Sequence, residues 1–366
     1  MSVYKFNYQG KDVCIDDGDS STYSACYKNN KFYENDFLTY IQSLGLSGTY
    51  LDIGTNIGNH VVYFSKYTSA DRVIGFEPIF EYFQVANRNI INNGLEDKCS
   101  IYNIGLGSEG GDCIISFGSI RQMSVVKRLD DVLEGINDSI SIIKIDVEGM
   151  EIEVLKGAIS LILKHKPLIY LEAIQSDEDI EIRSLETDLF LESLGYQVTG
   201  RVFNYQPTIE YRHKSLANED CAFTSRKIID LRGFKLLGLG AVIEQSDRQS
   251  LVVNFPELKN GRVWLSSSLE KFDNCGPEDF DFELKDDFRS IFLEFDAHAE
   301  GNIKYCIHVN QYNESGAVVH KDKFYVNRRA FRPLSNKFKA RRGRIFVEIS
   351  GSGKLIVNKL AVTLAG

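Results

Sequence analysis

The apolar and polar positions along this chain follow two different rhythms, and the change falls near residue 226, about three fifths of the way along. Before it, strand-length apolar runs alternate with stretches of helical periodicity. Val3 to Tyr8 and Lys11 to Ile15 read as short strands joined in a hairpin through Gly10. Phe37, Leu38, Ile41 and Leu44 recur at helical spacing, and Gly45 and Gly48 close that helix. Strands are then predicted over Tyr50 to Ile53, Arg72 to Phe76 and Ser100 to Ile104, with Asp112 to Phe117 as a short extra one. Helices follow the first two, the second over Phe80 to Asn92. Ile140 to Asp146 and Pro167 to Ala173 are nearly continuous apolar runs, as central parallel strands buried on both faces require. Helices over about 150–164 and 182–194 separate and follow them. Tyr196 to Phe203 and Cys221 to Ser225 are read as a closing antiparallel pair. This alternation predicts a doubly wound α/β sheet, whose ligands sit beyond the carboxyl ends of its strands.

After the change, period 2 takes over: Ile291, Leu293, Phe295; Ile303, Tyr305, Ile307, Val309; Ile345, Val347, Ile349. Arg344 to Ile349 and Lys354 to Val357 read as a hairpin around Gly351-Ser352-Gly353. The expected organisation is therefore an α/β domain over 1–226, opened by a hairpin and helix in 1–48, and an all-β sandwich or jelly-roll over 227–366. No Pro/Gly/Ser linker marks the boundary, which predicts packed rather than tethered domains.

Composition adds bounds rather than detail. A 43% hydrophobic and 25% charged chain is ordinary for a globular protein with two cores. The net charge of −9 argues against nonspecific attraction to nucleic acid or anionic membrane. Cysteines stand singly at 14, 26, 99, 113, 221, 275 and 306, with no C-x-x-C pair, so the spacing suggests neither a zinc site nor a disulfide framework, and no metal is expected. A reducing, cytoplasmic setting fits them. Met1 to Lys5 carries no apolar signal region and no apolar run reaches membrane-spanning length.

The candidate chemistry begins at Tyr50-Leu51-Asp52-Ile53-Gly54-Thr55-Asn56-Ile57-Gly58-Asn59, where an apolar strand meets an acid, a glycine turn and a helix start. Glycine lets backbone approach a ligand closely, and the unpaired N–H groups of a helix start attract negative or polar atoms. A dinucleotide site needs G-x-G-x-x-G. Here the pattern is D-x-G-x-N-x-G, with Asn56 in place of a glycine, the variant that S-adenosylmethionine (SAM) enzymes use. Glu77, about 25 residues beyond Asp52 at the end of the next strand, stands where a ribose-binding carboxylate belongs, and Pro78 stops that strand.

The densest charged group is Lys144-Ile145-Asp146-Val147-Glu148-Gly149-Met150-Glu151. Period 2 would place Lys144, Asp146 and Glu148 on one side, at the ligand edge of the sheet. Helix-dipole stabilisation accounts for Glu151 but not for charges within an apolar strand, which need partners. Glu172 ends the next strand and reaches the same edge. His60 lies in the first turn after the glycine loop, and His213 in a loop before the last strand is a weaker candidate.

These motifs resemble the FkbM family of SAM-dependent methyltransferases. The likeness runs over about residues 30–225 and rests on Tyr33-Glu34, Leu51 to Gly58, Phe76-Glu77-Pro78 with Asn87 and Asn92, Leu129 to Leu133, Ile143 to Gly149, Val154 to Ala158, and Pro167 with Glu172. Thr55 stands where the family often has Ala, and the β-domain lies outside the likeness. The resemblance implies a Rossmann-like class I methyltransferase sheet and O-methylation of a hydroxyl on a saccharide or other secondary metabolite. SAM would be the donor and S-adenosylhomocysteine the product. Under it, Asp52, Gly54, Thr55, Asn56, Gly58 and Asn59 would hold the methionine part, Glu77 with Pro78 the ribose, and Asn103, Ile104 and Gly105 would border the adenine; Glu34 joins the cofactor set. Asp146, Glu148, Glu172 and His60 are the candidates at the methyl-transfer edge. A hydroxyl must lose its proton to attack, and any of these carboxylates can serve as base; a divalent cation held by them is an alternative way to acidify it.

Two rivals stand beside this reading. One is an inactive glycan-binding or scaffold protein on a methyltransferase frame, which leaves four intact acids without a purpose. The other is a nicotinamide-dependent oxidoreductase, which conflicts with Asn56. The β-domain is expected to bind the acceptor or to mediate homo-oligomerisation. Its acid-rich segment, Glu270 to Asp287, and its basic segment, Asn327 to Arg344, read as a complementary pair of solvated loops, or else the basic one as a dock for an anionic glycan or phosphorylated lipid carrier.

Overall fold

The computed structural model describes residues 2–118, 120–172, 178–203, 208–216, 223–228, 231, 234–237, 242–246, 251–255, 262–266, 281–283, 290–324, 329–333 and 341–365. The chain divides into two units, one of Met1–Ile174, Glu186–Val198 and Thr208–Ala217, the other of Gln175–Leu185, Thr199–Pro207 and Asn218–Gly366. Among the described residues no helix is long and apolar enough to cross a membrane.

The first unit opens with the hairpin β1 (Val3–Tyr8) and β2 (Lys11–Asp16), turned by Gln9 and Gly10 at positive φ. The helix α1 (Ser21–Tyr27) follows, which no apolar periodicity marks, its first turn capped by the Ser20 hydroxyl. The helix α2 (Asn35–Ser43) buries Phe37, Leu38 and Ile41, the stripe its periodicity marks. Strand and helix then alternate as β3 (Thr49–Ile53), α3 (Asn59–Tyr67), β4 (Arg72–Phe76), α4 (Phe80–Asn92) and β5 (Cys99–Tyr102). A small side sheet follows, of β6 (Gly105–Leu106), β7 (Gly111–Phe117) and β8 (Ile120–Lys127) in the order β6-β8-β7. Its polar, half-exposed middle strand gives no apolar run, so the periodicity passes over it. After α5 (Leu129–Val132) come β9 (Ile140–Ile145), α6 (Glu151–Lys156), α7 (Ile159–His165), β10 (Leu168–Glu172), α8 (Glu178–Ser193), β11 (Tyr196–Phe203) and β12 (Thr208–His213). The single helix expected over 150–164 is thus two, the first capped by Gly157.

The main sheet runs β11-β12-β10-β9-β3-β4-β5. Strands β10, β9, β3, β4 and β5 are parallel, and β12 closes antiparallel to β10. Tyr50, Leu51, Ile53, Ile142, Ile143, Ile145, Ile169 and Tyr170 are all buried, as helices on both faces demand. The chain winds outward from β3 in one direction, through β4 and β5, and then in the other, through β9 and β10. Its switch point therefore lies between the carboxyl ends of β3 and β9.

The expected closing pair is corrected. The strand partnering β10 is β12, which contains His213, whereas β13 (Phe223–Ile228) pairs with a strand of the second unit. A β-strand's apolar pattern does not record which sheet it joins.

The second unit is β-rich: β13, β14 (Lys235–Leu237), β15 (Val242–Ser246), β16 (Leu251–Phe255), β17 (Arg262–Ser266), β18 (Phe282–Glu283), β19 (Ser290–Tyr312), β20 (Val318–Phe324), β21 (Arg329–Pro333) and β22 (Arg342–Ala365). Its spine is a ribbon of β19 and β22, paired antiparallel from Ser290↔Ala365 to Tyr312↔Arg342 with one irregularity at Asp296/Ala297. The other edge of β22 pairs in turn with β18, β17, β16 and β13. Phe295, Ile307, Val309, Ile345, Val347, Ile349 and Leu355 join Leu251, Val253 and Leu265 in its buried core.

The hairpin expected around Gly351-Ser352-Gly353 does not form, because β22 runs straight through it. At Gly351 φ is +101°, and an added Cβ would lie 1.9 Å from the carbonyl oxygen of Asn302 across the ribbon. These glycines permit close cross-strand approach rather than a reversal. Most of the acid-rich and basic segments lies outside the described residues. Within the described part Arg344 is fully buried and donates to Ser266 Oγ at 3.1 Å, so it is not a solvated loop charge.

The ribbon's dependence on Gly351 is testable through Trp264, the chain's single tryptophan, which lies in β17 of this unit. Gly351→Ala is expected to destabilise the Trp264 fluorescence unfolding transition by on the order of 3 kcal/mol, from left-handed strain plus a backbone clash. An unchanged midpoint would show that the ribbon does not need the glycine.

Candidate active site

In the parallel register of β3 against β9, Asp52 lies directly beside Lys144. Asp52 is fully buried and Lys144 is 2% exposed. The Lys144 ammonium sits 3.7 Å from Asp52 Oδ1 and 3.0 Å from Asp146 Oδ2, so one cation serves two acids. Burial works against the ammonium, but the carboxylates of Asp146, Asp52 and Glu34 outweigh it and hold Lys144 charged, well above the ordinary lysine range. Burial likewise works against the Asp146 carboxylate, yet Lys144 and a hydrogen bond shared with Glu172 keep it ionised, with a pKa of about 2. Glu172, at the end of β10, is pushed up to about 10 by burial and by that same hydrogen bond to Asp146. At neutral pH the pair therefore carries one proton, on Glu172, shared toward an ionised Asp146.

The loop after β3 abuts the loop after β9. Gly54 has φ +81°, and a Cβ there would lie 1.8 Å from the Asp146 carbonyl oxygen, so no other residue fits. Asn56 takes the left-handed conformation, which asparagine tolerates better than most residues. Its N–H donates to Glu77 Oε2 at 2.8 Å, and the Ile79 N–H donates to Glu77 Oε1 at 2.8 Å. Glu77 thus ties the glycine loop to the end of β4, and each of its oxygens keeps a further lone pair. Burial pushes its carboxyl up to about 7, against the pull of those two backbone donors. Thr55 Oγ donates to Asp52 Oδ2. Asp52 Oδ1 is buried with no hydrogen-bond partner among the described residues. Gly58 caps the start of α3 at φ +80°.

Asn103 Nδ2 donates to the carbonyls of Glu77 and Pro78 at 2.8 and 3.1 Å, and Gln122 and Ser124 of β8 donate to the same Pro78 carbonyl. Ile104 and the buried Gly105 follow directly, into β6.

The N-terminal segment is fastened over the start of α3. Asn59 Oδ1 accepts from the Tyr27 hydroxyl and the Tyr33 N–H, and Asn59 Nδ2 donates to the Tyr33 carbonyl. The Asn59 amide therefore grips its own chain. His60 Nε2 lies 2.9 Å from Glu34 Oε2, both side chains 6% exposed. Tyr23, which no motif singles out, and Tyr33 of the Tyr33-Glu34 motif meet edge to face at 5.1 Å. Burial raises both phenols, Tyr33 to about 12, and the charge of Asp146 raises each further, so both lie within its electrostatic reach. Tyr23 is invisible to the sequence reading because α1 itself is.

Asp52, Asp146, Glu172, Glu34 and His60 thus gather around Lys144, with Gly54 to Asn59 and Glu77 on the adjoining loop. Glu148 does not continue the pattern. Strand β9 ends at Ile145, and Glu148 turns to φ +55° and is exposed, within electrostatic reach of Asp146 and Glu151. Glu151 accepts from the N–H groups of Gly149 and Val147, which shapes that turn. His213 ends β12, where its Nδ1 lies 2.7 Å from Ser215 Oγ, and takes no part.

Lys144→Met would leave two acids at the sheet edge without their cation. It is expected to cost about 3–5 kcal/mol of stability. Chemical denaturation checks this, and a loss below about 1 kcal/mol would mean that the acids do not depend on the ammonium.

With the geometry in place, likeness to known proteins can be stated. Residues 52–198 match the model of the methyltransferase FkbM domain. The chain is 24% identical over 194 residues to methyltransferase sdnD of Sordaria araneosa, covering 41% of this chain and 73% of that protein. Among solved structures it is similar to methyltransferase FkbM of Methylobacillus flagellatus KT, at 23% identity and a TM-score of 0.37, covering 46% of this chain and only 44% of that one. It is also similar to a SAM-dependent methyltransferase of Aquifex aeolicus, at 18% identity and a TM-score of 0.32, covering 50% of this chain and 89% of that one. The glycine turn, Glu77 and the Lys144–Asp146 edge all fall within the matched stretch, and it is there that the chain resembles the FkbM family of methyltransferases.

Proposed function

We propose that this chain is a SAM-dependent O-methyltransferase whose acceptor is a hydroxyl of a saccharide or glycan precursor. A methyltransferase is what the FkbM domain match supports. The observation that carries the finer reading is the junction at the β3/β9 switch point. There a glycine turn beside a buried acceptor that takes no hydrogen bond among the described residues, Asp52 Oδ1, adjoins a carboxyl pair poised to move a proton. The saccharide class rests on the family resemblance.

The residues present fit SAM. Asp52 Oδ1 is an orphaned buried acceptor of the kind an ammonium or hydroxyl satisfies. The spare lone pairs on Glu77 suit the two ribose hydroxyls. Gly54 to Gly58 present close backbone, and Asn103 to Gly105 border the far side of Glu77. When bound, SAM supplies an electrophilic methyl on a positively charged sulfur. The chain's part is to align the acceptor, exclude water and take its proton. Asp146 is the proton acceptor of this reading: ionised, 3.0 Å from Lys144, and bonded to Glu172, which redistributes the proton within the pair. Lys144 and His60 with Glu34 act as positioning residues. Tyr23 and Tyr33 wall the site. The second unit is read as a sandwich that binds the acceptor or mediates oligomerisation.

Three outcomes test this. Asp52→Ala and Glu77→Ala are each expected to weaken SAM binding at least about tenfold by calorimetry; wild-type affinity in both would end the cofactor assignment. Asp146→Asn should lower turnover of a labelled-methyl assay by about 100-fold or more with little change in SAM affinity, and unchanged turnover would remove it from catalysis. Ribose hydroxyls donate to ionised Glu77, whose pKa is about 7. SAM affinity should therefore fall by up to about tenfold per unit as pH drops below about 7, and level off above it. Glu77→Gln should flatten that profile, and a pH-independent wild-type affinity would contradict the ribose role.

A further inference from the structure

A second chemical cluster lies in the β-rich unit, and it owes nothing to the methyl-transfer reading. Cys306 and His308 are two apart on β19 and so share a face, and Glu348 of β22 is the direct cross-strand partner of Cys306. Ile307, Val309, Val347 and Ile349, which alternate with them along the two strands, belong to the core on the opposite face. Cys306 Sγ lies 3.4 Å from His308 Nε2 and 3.5 Å from Glu348 Oε2, and His308 Nε2 lies 2.7 Å from Glu348 Oε2. The three donor atoms converge within 4.8 Å of one another. Trp264 of β17, the neighbour of Glu348 on its other side, sets its ring against His308 at 4.8 Å.

We propose that Cys306, His308 and Glu348 bind a divalent transition metal, zinc by the chemistry of the donor set. A thiolate, an imidazole nitrogen and a carboxylate oxygen are the ligands zinc takes, whereas calcium and magnesium want oxygen alone. The spacing agrees. Zinc bond lengths and tetrahedral angles put ligand atoms about 3.5 Å apart for sulfur and nitrogen, about 3.6 Å for sulfur and oxygen, and about 3.4 Å for nitrogen and oxygen. The two sulfur distances already match, and only the His308–Glu348 contact must open, by about 0.7 Å. That contact holds the donors together in the metal-free state and gives way to the ion.

Charge balances as well. Metal entry displaces the Cys306 thiol proton, and thiolate plus carboxylate then neutralise the dication around a neutral imidazole. The backbone is set in advance, because β22 is laddered to β19 on one edge and to β17 on the other at this level. The His308 side chain is 20% exposed and that of Glu348 9%, and the fourth ligand of a tetrahedral zinc would be water or an exogenous donor. The site escapes cysteine spacing rules because its ligands lie 42 residues apart and meet only through strand pairing.

Cobalt is the probe. The full-length chain, stripped with chelator and dialysed, is titrated with Co²⁺. One equivalent should bind with a thiolate-to-cobalt charge-transfer band in the near ultraviolet, abolished by excess Zn²⁺. Cys306→Ser should remove the band, and Glu348→Gln should weaken binding at least about tenfold. Because those variants can also perturb the ribbon, a second measurement uses wild type alone. Zn²⁺ should slow iodoacetamide labelling of Cys306 at least about tenfold, read by peptide mass spectrometry. No stoichiometric band, a band that survives in Cys306→Ser, or equal Cys306 labelling with and without Zn²⁺ would each overturn the proposal.

Discussion

One buried ammonium organises the first unit. Lys144 sits inside an apolar parallel strand, where an unpaired charge would be prohibitive, and it is stable there because Asp52 and Asp146 both face it. Asp52 can reach it only if β3 and β9 are neighbours in the register that sets residue 52 beside residue 144. A slip of one residue would turn the lysine to the other face and strand all three charges. The ion triad therefore enforces the strand order that creates the switch-point crevice. The same charges decide the protonation of its edge: Lys144 keeps Asp146 ionised, and an ionised Asp146 keeps the proton on Glu172.

Glu77 does for the loops what Lys144 does for the strands. By accepting from the N–H groups of both Asn56 and Ile79, it locks the glycine turn to the end of β4. Its burial raises its pKa toward neutrality. The group that holds the loop is thereby also sensitive to pH. The N-terminal segment completes the enclosure, with Asn59 gripping Tyr27 and Tyr33 while Glu34 meets His60. Groups more than a hundred residues apart are brought within electrostatic reach, as when the charge of Glu172 raises the Tyr33 phenol.

The β-rich unit rests on a different constraint, a ribbon of two strands each more than twenty residues long. Such a ribbon keeps its register only where backbones can approach, hence the glycines at 301, 351 and 353 with positive φ. The reward is rigidity: side chains distant in sequence are held opposite one another, as at Cys306 and Glu348.

What depends on local pattern could be read along the chain. Apolar runs marked the parallel strands and the D-x-G-x-N-x-G run marked the loop, since periodicity and turn chemistry act over a few residues. Tertiary structure decided what depends on neighbours. It alone placed β13 in the second sheet, carried β22 through its glycines, put Glu148 in an exposed turn beyond the strand and brought Tyr23 within electrostatic reach of Asp146. Hydrophobic patterning says which residues leave water. It does not say which strand lies alongside, and it is that adjacency which pairs a buried charge with its partner and a thiol with its imidazole.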